Sequence, residues 1–327
     1  MKAVYTGLNG IENLEIRELP EPAPPAENQV LVRVRCAGLN RADLLQARGL
    51  YPPPPGYSPN VPGLEFAGEV AGVGDGVKNW SEGDRVFGIT AGEAQAEYLL
   101  IDESLLTRIP ETLTFPQAAA IPEAFITAHD ALFTLAGLKS GESLLIHAVG
   151  SGVGLAALQL AKAAGATVIG TSRTEDKLAK CERFGLDAGI STAEGIDFVN
   201  LVRDKTQGKG VDVILDLVGA AYFEQNLNCL TLKGRIVLVG LTSGRSALFD
   251  LGTALQKRAK IIGTVLRTRA LEEKAEATRE FSRFVVPLIE AGTITPNLDR
   301  TFAFQDVAVA YKYLESNQSF GKVVLEI

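Results

Sequence analysis

Histidine and cysteine are scarce in this chain, with two of the former and three of the latter among 327 residues. Cys36, Cys181 and Cys229 are too few and too scattered for a disulfide framework, so a reducing, cytoplasmic compartment is expected. His129 and His147 have no ligand partner at metal spacing, and no metal centre is expected. No apolar run approaches the roughly 18 residues that a membrane span needs. Basic residues are also short: 32 stand against 39 acidic ones, for a net charge of −7 without a basic stripe. That balance argues against nucleic acid or an anionic membrane as partner. The chain opens on a strand-like stretch, Lys2 to Tyr5, without the charged and apolar regions of an export signal.

What is present is ample apolar content, 46%, and length for about two domains. Leu144 to Val149 is apolar except for His147, the pattern of a strand buried on both faces. Leu155, Ala156, Leu158, Leu160 and Ala161 then recur at helical spacing, and the pattern ends at Gly165. Between them Gly150, Gly152 and Gly154 form G-x-G-x-G rather than G-x-G-x-x-G. Such a turn either serves as a tight bend alone or lets a diphosphate rest on the helix N-terminus, where unpaired N–H groups favour anions. His147 itself reads as a packed, hydrogen-bonded group rather than a base.

The context favours the nucleotide. Thr167–Ser172, Ala188–Thr192, Val211–Asp216, Arg235–Val239 and Ile261–Leu266 follow as strands, with helices over Glu175–Gly185 and Asp197–Lys205. Six strands alternating with helices predict an α/β fold, a doubly wound parallel sheet with the turn after its first strand. NAD sites usually carry an acid at the end of the second strand. Ser172 stands there, with Arg173 next and Lys177 one helical turn on, which points to NADPH. The competing account is a capping box, Ser172 to Glu175, beside solvated charges.

The first 120 residues differ. Val30, Val32, Val34 and Cys36 alternate with Leu31, Arg33 and Arg35, and proline-dense loops lie at Pro20–Pro25 and Tyr51–Pro62. Gly72-Val73-Gly74-Asp75-Gly76 opens no apolar helix and reads as a β-turn, not a phosphate loop. Phe281, Phe284, Val285, Leu288 and Ile289 mark an amphipathic helix, and Lys322 to Ile327 a closing strand. The expected organisation is a mostly β, barrel-like domain, 1–122 with 267–327, split around a nucleotide-binding domain, 123–266.

Several motifs in register carry a resemblance. They are Ala37-Gly38-Leu39-Asn40-Arg41-Ala42-Asp43, Arg48-Gly49-Leu50-Tyr51-Pro52, Val61-Pro62-Gly63-Leu64-Glu65-Phe66-Ala67-Gly68, Glu82-Gly83-Asp84-Arg85-Val86, Gln159-Leu160-Ala161 and Gly321-Lys322-Val323-Val324. With the His147 to Gly154 turn, the chain resembles the medium-chain dehydrogenase/reductase superfamily, in particular its zinc-independent, zeta-crystallin-like quinone oxidoreductases of the p53-inducible type.

That resemblance implies a Rossmann domain beside a GroES-like catalytic domain, NADPH as cofactor, and a cleft between them lined by Asn40, Asp43, Tyr51 and Tyr57. It implies cofactor contacts at Thr127, Gly150, Ser151, Gly152, Val153, Gly154, Ser172, Arg173, Lys177, Thr192 and the backbone of Gly240, Leu241 and Val265. The zinc-dependent cousins take ligands where Asn40, Leu64 and, nearby, Glu123 stand here, and only Glu65 beside them keeps a ligand-capable type. Asn40 orients nicotinamide or substrate, or caps the helix after it. Tyr51 stacks on a quinone or packs its proline loop. Ser151 touches the cofactor or satisfies its turn. The implied activity is quinone reduction, by hydride or by single electrons. The alternatives are an enoyl or alkenal reductase and an NADPH-binding, redox-sensing protein with weak catalysis. A homodimer through the segment around Leu241 to Leu266 is also implied.

Overall fold

The computed structural model describes residues 1–193 and 197–327. The chain divides into two compact units, Met1–Ile126 with Leu266–Ile327, and Thr127–Val265.

Along the first unit run β1 (Lys2–Tyr5), β2 (Glu15–Glu18), β3 (Gln29–Leu39), α1 (Arg41–Ala47), β4 (Glu65–Val73), β5 (Arg85–Ile89), β6 (Tyr98–Asp102), β7 (Leu106–Arg108), α2 (Phe115–Ala119) and the start of α3 (Pro122–His129). The alternation of β3 does what its spacing dictates: Val30, Val32, Val34 and Cys36 are buried, whereas Arg33 is exposed. The three valines form a core with Phe66, Val86 and Leu99 from the neighbouring strands. The glycine-rich stretch after β4 is a turn, with Gly74 N–H donating to Gln29 O and Gly76 N–H to Glu27 O, each at 2.9 Å.

The second unit contains β8 (Ser143–Ile146), α4 (Gly152–Ala163), β9 (Thr167–Ser172), α5 (Glu175–Glu182), β10 (Ala188–Ser191), α6 (Val199–Lys205), β11 (Val211–Asp216), α7 (Phe223–Cys229), β12 (Leu230–Leu238), α8 (Leu251–Lys257) and β13 (Lys260–Gly263). Its six strands are all parallel, in the order β10-β9-β8-β11-β12-β13. The chain leaves β8 toward β9 on one side and returns through β11 on the other, so β8 and β11 flank the topological switch point where such sheets bind nucleotides. The apolar runs are continuous because helices cover both faces; Leu145, Ile169, Ile214 and Ile236 share one core.

The first unit is completed by α9 (Leu271–Phe284), α10 (Val286–Glu290), β14 (Leu298–Ala303), α11 (Val307–Glu315) and β15 (Lys322–Glu326). Its main sheet runs β14-β15-β3-β4-β5-β7, with β6 also on β3, and all pairings but β14–β15 are antiparallel.

Local boundaries depart from the sequence expectations in several places, three of which have a plain physical reason or bear on the site. The first strand of the parallel sheet ends at Ile146, not Val149, because Ala148 takes a left-handed φ of 49° and turns the chain. The last strand of that sheet stops at Gly263, not Leu266. The apolar stripe from Phe281 to Ile289 belongs to two helices rather than one, with Val285 between them and Pro287, which has no N–H to donate, in the first turn of the second. Among the described residues, no helix is long and apolar enough to cross a membrane.

Candidate functional site

In the second unit the chain turns sharply between β8 and α4. Val149 N–H still donates to Thr171 O at 3.0 Å and His147 N–H to Leu215 O at 3.1 Å, so the turn is tied to both neighbouring strands. Ser151 is the N-cap of α4, and its Oγ accepts from Gly154 N–H at 3.1 Å. The serine hydroxyl therefore serves the turn. A Cβ at Gly154 would lie 2.6 Å from Ala148 O and 2.7 Å from Val149 O, so glycine is what lets the helix start this close to the bend. Gly150 is buried, while Ser151, Gly152 and Val153 are half-buried at the mouth of the turn.

Beneath it lies a buried polar chain. His147 shares hydrogen bonds with Thr171 Oγ1 (Nδ1, 2.9 Å) and Asn226 Oδ1 (Nε2, 2.6 Å), and Asn226 Nδ2 donates to Asp216 Oδ2 at 2.9 Å. Since the Asn226 oxygen can only accept, Nε2 carries the proton and Nδ1 accepts from the threonine hydroxyl. Burial lowers the histidine pKa against the opposing pull of Asp216, so the ring is neutral and structural. Asp216 Oδ1 in turn accepts from the N–H groups of Val218 and Gly219, fixing the loop after β11.

Ser172 and Thr192 meet at the ends of β9 and β10, where Thr192 N–H donates to Ser172 O at 2.9 Å. Among the described residues, buried Thr192 Oγ1 has no hydrogen-bond partner, an open valence of the kind a ligand oxygen or ribose hydroxyl satisfies. Arg173 is exposed and Lys177 half-buried at the start of α5. The capping-box alternative has no support here: the N-cap of α5 is Thr174, and its side chain makes no cap bond. Of the other candidate cofactor residues, Gly240 donates its N–H to Asp216 O, Leu241 and Val265 are exposed, and Thr127 is half-buried on α3.

The first unit holds a second constellation. Lys322, only 5% exposed, places Nζ 2.5 Å from Glu65 Oε1, 2.7 Å from Asn40 Oδ1 and 2.8 Å from Leu39 O. Asn40 Nδ2 donates to Glu65 Oε1 at 2.8 Å, and Glu123 N–H donates to Glu65 Oε2 at 2.9 Å. Gly38 on β3 makes room, because a Cβ there would collide with the Glu65 carboxylate. Asn40 thus begins α1 with its side chain spent on Lys322 and Glu65. The backbone N–H of Asn40 goes to Asp43 Oδ2 at 2.7 Å.

Asp43 has no exposed surface. It accepts from Asn40 and Gly63 N–H groups and supports the loop from within instead of lining a substrate surface. Burial, partly offset by those bonds and by Lys322 and Arg267, raises its carboxyl to about 6. Arg267, 4% exposed, donates to Ala91 O (2.7 Å), Tyr51 O (2.9 Å) and Gln46 Oε1, and its guanidinium lies 5.0 Å from the Tyr51 ring centroid. One face of Tyr51 is therefore covered by a cation. Tyr57 packs against the backbone of Gly92, beside the carbonyl that Arg267 holds.

Asn40, Asp43 and Tyr51 come together in this cluster, organised by Lys322 and Arg267. In the sequence Lys322 stands only as part of a motif and of a closing strand, without a role of its own, and Arg267 not at all. No local pattern marks them, since their partners come from β3, β4 and the loops around them. Among the described residues, no three His, Cys, Asp or Glu side chains converge as a metal-binding group.

Comparison with known proteins follows this division. Residues 26–111 match the family model described as alcohol dehydrogenase GroES-like domain, and residues 152–283 match the zinc-binding dehydrogenase model. Human quinone oxidoreductase is 30% identical over 321 residues, covering 97% of this chain and 94% of the relative. The pikromycin polyketide synthase component PikAII of Streptomyces venezuelae is 35% identical over 94% of this chain, but the chain spans only 8% of its length. Two solved structures superimpose over nearly the whole chain. JamJ enoyl reductase does so with a TM-score of 0.87 at 28% identity, covering 99% of this chain and 98% of its own. A mycobacterial protein complexed with NADPH does so with 0.89 at 27%, covering 100% of each. The chain belongs to the medium-chain dehydrogenase/reductase superfamily, as an oxidoreductase of the branch that holds the zeta-crystallin-like quinone oxidoreductases.

Proposed function

We propose that the chain is an NADPH-dependent, zinc-free quinone oxidoreductase. The observation that carries this reading is the tip of β9. Ser172, Arg173 and Lys177 surround the place where an NAD site would carry an acid, beside a glycine turn shaped for a diphosphate. The NADPH complex of the superimposable mycobacterial protein and the human quinone oxidoreductase relative support it.

NADPH, when bound, supplies hydride. The α4 N-terminus and Gly150–Gly154 would receive its diphosphate, and Ser172, Thr192, Arg173 and Lys177 its adenosine ribose and 2′-phosphate. Thr127, Gly240, Leu241 and Val265 would flank the nicotinamide. The first unit offers the acceptor Tyr51, with its hydroxyl, and the Arg267 guanidinium over its ring. At two of the places where zinc-dependent relatives carry ligands stand an amide and a leucine, the third falls near Glu123, and the neighbouring Glu65 is ion-paired with Lys322. A quinone spreads developing negative charge by conjugation, so positioning and a fixed cationic field suffice.

A homodimer in a reducing, cytoplasmic compartment completes the proposal. It is supported by Leu248, Leu251 and Leu255, which are 95%, 74% and 77% exposed, next to β13, the edge strand of the parallel sheet. A second activity, reduction of a double bond conjugated to a carbonyl, is favoured by the likeness to an enoyl reductase. Oxidation of NADPH with phenanthrenequinone, benzoquinone and a trans-enoyl thioester separates the two. Preferential turnover of the quinones supports the proposal, and turnover of the thioester alone replaces it with the enoyl reductase. NADPH binding without any turnover leaves a redox-sensing binding protein.

A further inference from the structure

The buried polar chain of the second unit carries on where a strand ladder stops. The β8–β11 ladder ends at the pair Ile146 and Leu215; past it one segment enters the glycine turn and the other becomes the loop after β11. His147, at the start of the turn, reaches Asn226 on α7 through Nε2 (2.6 Å), and Asn226 Nδ2 reaches Asp216 Oδ2 (2.9 Å). Asp216 Oδ1 holds Val218 and Gly219 by their N–H groups, each at 2.8 Å. That loop is bonded in turn to the one after β12. Ser243 N–H donates to Val218 O at 2.8 Å, Ala220 N–H to Gly244 O at 3.2 Å, and Gly240 N–H to Asp216 O at 3.2 Å. Asn226 is the middle link of this line.

We propose that Asn226 is a positioning residue of the nucleotide site, holding the glycine turn and the loops after β11 and β12 at one fixed separation. The inference rests on the NADPH reading above, which gives the turn to the diphosphate, and Gly240 and Leu241 to the nicotinamide. A dinucleotide is two ligands on a short tether. Its second half gains from the first only where both sites stand at the separation that the tether spans. With no exposed surface, Asn226 acts through His147 and Asp216 rather than on the cofactor.

The chemistry of the gap calls for an amide. His147 presents an N–H there and Asp216 a carboxylate oxygen, so the link must accept at one end and donate at the other without adding charge. Leucine keeps the branching of asparagine and offers neither group. Aromatic rings close the surroundings: the Phe198 and Tyr222 centroids lie 5.0 Å and 4.8 Å from that of His147. In such a setting a fully satisfied polar chain favours one arrangement, and a broken one loses that uniqueness.

The test reads binding, not turnover. Dissociation constants are measured for NADPH and for adenosine 2′,5′-bisphosphate, which carries the adenosine ribose and its 2′-phosphate but no nicotinamide. Asn226→Leu should raise the NADPH Kd about 10- to 100-fold and leave that of the bisphosphate within about 2-fold of wild type. His147→Phe breaks the same line from its other end with a ring that suits the aromatic pocket. It should give the same selective loss, and it serves if the leucine variant does not fold. A loss of stability alone would weaken both ligands together. Equal weakening of NADPH and the bisphosphate, or wild-type affinity for both, overturns the positioning role while leaving the NADPH reading in place. A wild type that binds NADPH no tighter than NADH overturns the reading on which that role rests.

Discussion

Lys322 Nζ lies 2.5 Å from Glu65 Oε1, an ion pair with both partners almost entirely out of water. It joins β15, near the end of the chain, to β4, and Asn40 bonds to both members. A buried pair of this kind is costly to break from one side, because the remaining charge keeps its desolvation penalty. Lys322→Met should therefore destabilise the protein by about 3–5 kcal/mol in urea unfolding, and adding Glu65→Gln should recover part of that loss. A Lys322→Met protein with wild-type stability would show that the pair contributes nothing.

The cofactor assignment separates NADPH from NADH. Arg173→Ala combined with Lys177→Ala should raise the NADPH Michaelis constant roughly 10- to 100-fold and spare NADH, since charge-assisted hydrogen bonds contribute about 1.5–3 kcal/mol. Equal weakening of both cofactors would mean that these cations do not contact the 2′-phosphate.

Stability should depend on pH with a definite sign. Glu123 is raised from 4.5 to about 8 and Asp43 from 3.8 to about 6. Between those limits the folded chain keeps protons that the unfolded chain has released. These two groups therefore make the fold less stable as pH rises through the windows. The thermal midpoint should carry a downward contribution toward alkaline pH, and Glu123→Gln should remove its upper part. A variant whose midpoint tracks wild type across the whole range would exclude Glu123 as a source.

The exposed leucines around α8 make the quaternary prediction. Leu251→Lys with Leu255→Lys should leave the parallel sheet folded and convert a dimer into a monomer in light scattering. The same mass before and after substitution would place any interface elsewhere.

The parallel sheet was legible because runs such as Leu144–Ile146 are apolar without interruption, which suits a strand covered on both faces. The end of its first strand was not. Val149 is as buried as Ile146, so hydropathy cannot report that Ala148 has already turned the backbone. The glycine turn was visible because its residues are contiguous. The roles of Lys322 and Arg267 were invisible for the opposite reason: each acquires meaning only when β15, or the segment after β13, comes beside β3, β4 and the Tyr51 loop. Asp43 illustrates the limit of motif reasoning, since its neighbours suggest a lining residue and its burial makes it a brace.

The most direct test of the account is steady-state oxidation of NADPH and of NADH by the intact protein with phenanthrenequinone as acceptor. The account predicts turnover with NADPH at a kcat/KM at least about 10-fold above that with NADH, the ratio expected when one phosphate contact is lost. Preference for NADH, or NADPH that binds and is never oxidised, would contradict it.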